Sequence, residues 1–527
     1  MLEKEVYVAF EKIVGERNIS QDPGVMDSYA FQWCNEIESA QRGEEPQRFG
    51  VRPLAVVLPA STEEVQAIVR LCNEHDVSYK AFCTGMGPWA GLSSPRAIQI
   101  DLRRMNRILE VDEKNMYAVI EPYVTNAQLQ CELFEYGLMH HAQGAGPQTS
   151  PLASHTSFVG PGFTSPYTGF SGRNVLGVEW ILPDGELIRL GSHDHTGKWF
   201  TGDGPGISLR GIMRGWLGAY GGLGVFTKAA IRLFSWPAPK EWKWKTSGTI
   251  PDYEWDIPPF WKMFVLNFEE WEDYQGAMYE LSDREVTMVA TTSAPEGLAA
   301  LFTNTKMEAI ESIFAGLLAK TRNYIVMLVA AHTKREFEFR TKLVRLIMEK
   351  YGGNDLIEEG VTVPKSMHYG ETVRNMLGGH AFRFSNCFQS THGGMDTIAL
   401  AVRLAQLNQP VKQKYIDKGV IGDDRGLGVW ITSYESGHMA HMETPTVYDP
   451  TSVESCLGYA AYQDECNQMD LDEALGMPFF IVGDDVHNFY AERTMHYADW
   501  IRKIKAVFDP NGVSDPSHYV KGGERKK

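Results

Sequence analysis

The sequence has no Cys-x-x-Cys pair, no block of basic residues and no apolar run long enough to span a bilayer. Each absence excludes something. The seven cysteines lie apart, at 34, 72, 83, 131, 387, 456 and 466. An odd, scattered set suits a reduced interior better than a disulfide framework. The best apolar stretch, Tyr324 to Ala331, has the length of a core strand, far short of the roughly 18 residues a membrane helix needs. A net charge of −17, with no basic patch to offset it, repels phosphate backbones and argues against nucleic-acid binding. The opening residues, MLEKEVYVAFEKIVGERNIS, form a charged amphipathic pattern without the apolar run of a secretion signal. A cytoplasmic chain is expected. Also missing are G-x-G-x-x-G, a Walker A loop and H-E-x-x-H, so the chain carries no Rossmann fingerprint, no P-loop and no zincin motif.

What is present is ordinary globular composition, 43% hydrophobic and 22% charged, in 527 residues. That is too long for one core, so two domains or a nested pair are expected. Residues 51 to 235 are the most legible. Leu54 to Leu58 reads as a buried strand, and Ser61 with Glu64 forms a capping box opening the helix EEVQAIVRLCNEH. Val77 to Phe82 is a second strand, leading into the glycine-rich turn Cys83 to Gly91. Strands follow at Ala97 to Leu102 and Ala118 to Pro122, then a helix capped by Thr125 and Gln128. Val178 to Leu190 reads as a hairpin about Pro-Asp-Gly.

Residues 144 to 172, rich in Gly, Pro, Ser and Thr, show almost no periodicity. They read as a long functional loop whose small residues permit close approach to a ligand. From about 238 tryptophan and proline cluster, and helices alternate with strands, as at Thr305 to Lys320 and Tyr324 to His332. A second domain is expected from about 240 to 475. In the tail, Trp500 to Phe508 is an amphipathic helix stopped by Asp-Pro-Asn-Gly.

The strips at 83–91 and 150–162 can present backbone N–H groups to a pyrophosphate, which needs donors rather than charge. Around them, in order, stand Pro59-Ala-Ser-Thr-Glu-Glu-Val65, Thr84 to Gly91, Ser94-Pro-Arg96, Asp101 to Val111, Val119-Ile-Glu-Pro122, the hairpin, Gly221 to Thr227 and Lys505 to Gly512. This ordered series resembles the FAD-binding domain of the vanillyl-alcohol oxidase and 4-cresol dehydrogenase family, over 51–235 and the C-terminal stretch. The resemblance implies an α+β fold with a two-part FAD-binding domain of the p-cresol methylhydroxylase type. Residues 1–240 would hold FAD, 241–475 would form a substrate or cap domain, and 476–527 would return to the FAD domain. The pyrophosphate would lie against Thr84, Gly85, Met86, Gly87, Pro88 and Trp89, and against Pro151, Ser154, His155 and Thr156. Flavin or adenine contacts would fall near Gly160, Gly162, Val225 and Phe226. The activity implied is removal of a hydride from an oxygenated, alcohol or phenol-like substrate to FAD, with no position matched for covalent attachment, so that non-covalent or undetermined binding is expected.

The segment His487-Asn-Phe-Tyr-Ala-Glu-Arg493-Thr494 resembles the Tyr-Arg-Thr motif with which this family binds a phenolate oxygen. Arg493 is the expected anchor, because a guanidinium stabilises an oxyanion without losing its own proton. Glu492 stands where the motif has tyrosine, which argues against a simple 4-alkylphenol. His438, His487 or Tyr434 is the expected base. His438, His441 and Glu443 carry an alternative, a D-2-hydroxy-acid dehydrogenase with a divalent metal. The longer Gly-His-x-Gly-Asp-Gly-Asn-x-His pattern of those enzymes is absent, and no metal is expected. On a strand, His441 and Glu443 would share a face. His380, Arg383 and His392 either line the pocket or pack in the core. The expected partners are a small-molecule substrate and an electron-acceptor protein, with the chain a homo-oligomer. A non-catalytic FAD-binding subunit of a redox complex is the remaining alternative.

Overall fold

The structure, a computed structural model, describes residues 1–85, 90–141, 146–158, 160, 162–199, 207–215, 217–240, 244–245, 254–292, 323–360, 390–424, 428–478 and 483–520. The predicted capping box forms: Ser61 Oγ accepts from Glu64 N at 3.2 Å, and Glu64 Oε2 accepts from Ala60 N at 2.8 Å. It opens the helix Thr62–Glu74, which buries Val65, Ile68, Val69 and Cys72. The i, i+3, i+4, i+7 spacing of those residues is what selects helix. Around it Val56–Val57, Ala97–Asp101 and Ser78–Phe82 pair in parallel, with Ile19–Ser20 antiparallel at one edge.

A second, antiparallel sheet runs in the order Ile108–Asp112, Tyr117–Ile120, Val225–Arg232, Val175–Ile181, Leu187–Leu190. The predicted hairpin closes there, with Gly185 at φ +85° and Leu182 N donating to Glu186 O at 2.8 Å. The C-terminal stretch returns to the first sheet. Tyr79 N donates to Val513 O and Asp515 N to Tyr79 O, both at 2.8 Å. The Asp515 carboxylate accepts from the backbone N–H groups of Ser93 and Ser94 at 3.1 and 3.0 Å.

The described residues between 146 and 172 are more ordered than their composition suggests, with helices at Pro151–Thr156 and Ser165–Thr168. Ser150 Oγ accepts from Ala153 N at 3.1 Å, and Pro151 occupies the first helical position, where an N–H has no helical acceptor. Ser154 and Thr156 turn their hydroxyls onto carbonyls of the same short helix. Polar side chains satisfied by their own backbone leave no apolar period to read.

Among the described residues the third sheet has eight strands drawn from residues 261–478, all antiparallel, in the order Asn354–Asp355, Trp261–Phe268, Asn323–Ala330, Val289–Thr292, Trp430–Tyr434, Met439–Thr446, Ser390–Asp396, Met477–Pro478. Helices Trp271–Asp283, Lys334–Lys350 and Ile398–Asp417 cover one face through a core containing Phe264, Met278, Ile347, Leu404 and Ile431. Each such side chain contributes roughly 1.5–3 kcal/mol on burial. The other face packs Met263, Val265, Val326 and Leu328 against Met139, Phe234 and Trp236 of the N-terminal part. The expected helix Thr305 to Lys320 lies outside the described residues. Among the described residues no helix is long and apolar enough to cross a membrane.

Candidate active site

Two features of the fold carry candidate chemistry. The first is a cleft. Ser78–Phe82 ends at Cys83-Thr84-Gly85, and Gly85 takes φ +68°, the left-handed region that glycine enters freely. A Cβ there would meet the Phe82 ring at 2.4 Å. This turn, the helix Pro151–Thr156 with Ser157 and Phe158, Ala219 to Gly224, and Ser514 with Asp515 enclose about 960 Å³, counting the solvent at the mouth. Most of the wall is small: Gly85, Ala90, Ala153, Ser154, Gly222 and Gly224. Lys80 is the one cationic side chain among the described lining residues. Its Nζ donates to Gly91 O at 2.8 Å and to Ser517 Oγ, and lies 4.6 Å from the Tyr220 ring centroid. Burial pushes that ammonium down to about 7.

The second feature is a polar pair on the large sheet. Trp430 lies opposite Glu443, Thr432 opposite His441, and Tyr434 opposite Met439. The intervening Ile431, Ala440 and Met442 belong to the helix-side core. Strand alternation therefore puts Trp430, Thr432, Tyr434, His441 and Glu443 on the face turned toward the N-terminal part. Tyr434 Oη lies 2.5 Å from His441 Nδ1, both side chains fully buried. Trp430 meets the His441 ring edge-on at 4.6 Å and stacks on Phe163 at 5.4 Å. Phe170 meets Tyr434 edge-on at 5.8 Å. Phe163 and Phe170 flank the helix Ser165–Thr168, so the pair is covered by a segment of the N-terminal part that packs on the large sheet.

Burial sets the charge states. His441 is pushed down to about 3 and Glu443 up to about 8, so at neutral pH the imidazole is neutral and the carboxyl keeps its proton. Glu443 Oε1 stands 3.6 Å from His441 Nε2. Burial also raises the Tyr434 phenol well above its ordinary range. A neutral imidazole has one donor and one acceptor nitrogen. With the phenol donating to Nδ1, Nε2 carries the hydrogen and donates. With Nδ1–H donating to the phenol oxygen, Nε2 accepts. Nε2 of such a neutral pair offers either a hydrogen-bond donor or an acceptor, and taking a proton there leaves a positive charge on the imidazole.

The other predicted residues are distributed as follows. Thr84, Gly85, Ser154 and Phe226 line the cleft. Pro151, His155 and Thr156 are buried on the same short helix, and His155 Nε2 makes no hydrogen bond with the described residues. Val225 is buried in its strand. Gly160 O accepts from Ser171 Oγ at 3.1 Å, and Gly162 N donates to Ser165 Oγ at 3.0 Å. Met86, Gly87, Pro88, Trp89, His380 and Arg383 lie outside the described residues. His392 is buried behind the sheet, its Nε2 3.2 Å from Asp470 Oδ2.

His438 is exposed just past the turn Glu435–Gly437, apart from the buried His441 and Glu443. The sequence series His438–His441–Glu443 is thereby split, and among the described residues no three His, Cys, Asp or Glu side chains gather for a metal. His487 is buried against Tyr519, at 5.2 Å between rings, and is pushed down to about 4. Arg493 is exposed on the turn after Tyr490, its N–H donating to Tyr490 O at 3.0 Å, and it makes no ion pair with the described residues. The pairing of Tyr434 with His441 escaped sequence reading, although Glu-Ser-Gly between two alternating runs is a turn signal.

Comparison with known proteins narrows the reading. Residues 53–191 match the family model described as FAD binding domain. The chain is 30% identical over 243 residues to a 1'-carboxy-chondrochloren decarboxylase of Chondromyces crocatus, covering 44% of this chain and 40% of that protein. It is 28% identical over 232 residues to the 4-cresol dehydrogenase [hydroxylating] flavoprotein subunit of Pseudomonas putida, covering 42% and 38%. The similarity thus spans about two fifths of these relatives' lengths. Over nearly the whole chain the fold matches a crystal structure of p-cresol methylhydroxylase with substrate bound. The TM-score is 0.73 at 18% identity, covering 98% of this chain and 96% of that one.

The cleft suits FAD. Its small walls let backbone approach a diphosphate, Thr84 and Ser157 bring hydroxyls to the lining, and Phe158, Tyr220 and Phe226 offer aromatic surface. Residues 53–191 are an FAD-binding domain, and the chain that carries them has the p-cresol methylhydroxylase fold.

Proposed function

We propose that the chain is an FAD-dependent oxidoreductase that removes a hydride from a carbon bearing, or conjugated to, an oxygen. The observation that carries this reading is the buried Tyr434–His441 pair on the sheet face turned toward the FAD-binding part. Residues 1–240 with 476–527 form the part that holds FAD, and 241–475 form the cap over the substrate. FAD, when bound in the cleft, supplies the two-electron acceptor for the hydride.

The residues of the chain handle the rest. His441, neutral because it is buried, takes the proton of the substrate hydroxyl as the C–H bond breaks and the carbon–oxygen bond gains its second bond. Tyr434 fixes the tautomer and the ring orientation. Trp430, Phe163 and Phe170 exclude water and offer flat apolar walls, which suits an aryl alcohol or phenol-like substrate. The electrons pass on to an acceptor, dioxygen or a partner protein. Arg493, the oxygen anchor offered by the sequence, is exposed in this fold, and the proposal gives the oxygen to the buried pair instead. The test is anaerobic mixing of FAD-loaded protein with aryl alcohols, 4-alkylphenols and 2-hydroxy acids, for wild type and His441→Gln. Bleaching of the flavin by one class, slowed on the order of 100–10,000-fold in the variant, supports the reading. Equal rates overturn it.

A further inference from the structure

We propose that Glu435, clasped by Arg173, is a positioning residue that sets the Tyr434–His441 pair for proton transfer across the seam between cap and FAD-binding part. The inference rests on the role given to that pair above. Tyr434 is followed by Glu435 and Ser436, and both take positive φ, +47° and +59°. Neither is glycine. Two successive L-residues in the left-handed region are strained, and such strain persists only where the surroundings over-determine it.

The surroundings here are specific, and they come from both sides of the seam. The Glu435 carboxylate pairs with the Arg173 guanidinium through Oε2, and its Oε1 accepts from Phe170 N at 3.5 Å. Gly169, at φ +74°, leaves room for that carboxylate, since a Cβ there would stand 3.2 Å from Oε1. On the cap side, Ser436 Oγ donates to Glu285 Oε1 at 2.6 Å. One hairpin tip is therefore held by Arg173 and Phe170 of one part and by Glu285 of the other.

The clasp reaches the pair by two short routes. Glu435 is bonded directly to Tyr434, so the positive-φ backbone that the clasp helps to hold sets where the tyrosine strand ends. Phe170, whose N–H meets Glu435, also lays its ring edge-on against Tyr434 at 5.8 Å. If the turn only had to reverse the chain, Asn-Gly would adopt the same backbone without strain. As a half-exposed ion pair, Arg173–Glu435 adds little to stability. Its consequence is geometric, and misplacing a reacting group by about 1 Å can lower a rate on the order of 100-fold.

The test uses FAD-loaded full-length protein and a substrate that bleaches the wild type. Arg173→Met, Arg173→Lys and Glu435→Gln are made alone, and Arg173→Met is also combined with His441→Gln. FAD content, thermal midpoint, KM and the anaerobic rate at saturating substrate are measured for each. Arg173→Met and Glu435→Gln are expected to slow the saturated rate roughly 10–100-fold, with FAD content and KM little changed. Arg173→Lys is expected to recover part of the loss. In the His441→Gln background, Arg173→Met should cost nothing more, because the clasp acts through the pair. A full rate in Arg173→Met, or the same fold-loss in both backgrounds, overturns the inference while leaving the pair's role standing. A full rate in His441→Gln overturns both. Should Arg173→Met fail to fold, Glu435→Gln, which preserves the side-chain shape, carries the same comparison.

Discussion

Tyr434 and His441 hold each other across a hairpin, phenol oxygen 2.5 Å from imidazole Nδ1, with Glu435 to Gly437 turning the chain between their strands. Trp430 closes the pair from one side and Phe170 from another. Tyr434→Phe keeps the ring and removes the hydroxyl that faces Nδ1. Losing such a hydrogen bond costs about 0.5–1.5 kcal/mol. Urea unfolding should show that loss, and a stability equal to wild type would mean that the contact is not formed.

The glycine turn at the cleft gives a second expectation. Valine at Gly85 would have to adopt φ +68° with its Cβ 2.4 Å from the Phe82 ring. The turn should move and FAD should be lost on purification. The measurement is the flavin-to-protein absorbance ratio of Gly85→Val; a stoichiometric ratio would place the cofactor's close approach elsewhere.

Acid should destabilise the fold through its buried histidines. Burial lowers His140 to about 4, and His155 and His441 to about 3, from an ordinary 6.5. Between those limits the unfolded chain binds more protons, so the stabilisation is complete above pH 6.5 and is lost as pH falls through about 4 for His140 and about 3 for His155 and His441. Each histidine contributes up to about 1.4 kcal/mol per pH unit in that window. Glu443, raised to about 8, works the other way and weakens the fold as pH climbs from the carboxylate range. Denaturation midpoints at pH 7 and pH 4.5 decide it; equal values would contradict this burial.

Arg493 separates two accounts of the substrate oxygen. A charge donor that stabilises a developing oxyanion typically contributes a factor of about 100–1000. An exposed arginine contributes little. Arg493→Met is expected to reduce its flavin within about threefold of the wild-type rate, against the loss expected for an anchor. A loss in the larger range would return the anchor to Arg493 and imply that its turn closes over the substrate.

The parallel strands, the Ser61–Glu64 cap and the Pro-Asp-Gly hairpin were legible because each has a local cause: an apolar run, a side-chain acceptor or a turn residue. The glycine turn after Phe82 was legible in the same way, whereas Thr84, Gly85, Ser154 and Phe226, which line the cleft, came from the family resemblance rather than from a local cause. The short helix Pro151–Thr156 was hidden by polar side chains bonded to their own backbone. The catalytic candidates were least legible. His438 and His441 are three apart in sequence, yet the hairpin tip leaves one in solvent and seals the other beside Tyr434. Lys80 lies inside an apolar strand pattern, and only the fold reveals that it borders the cleft. Phe163 and Phe170 reach the pair through tertiary packing, which no local period records.

The central claim is that a flavin bound in the cleft is reduced by a substrate whose proton passes to the Tyr434–His441 pair. One anaerobic spectrum tests it most directly. Purified protein, checked for FAD content, is mixed with aryl alcohols, 4-alkylphenols and 2-hydroxy acids in turn. The expected result is one FAD per chain, bleached by at least one oxygenated class in wild type and far more slowly in His441→Gln. Flavin that photoreduces normally yet is untouched by every class, or bleaches equally fast in the variant, would contradict the account.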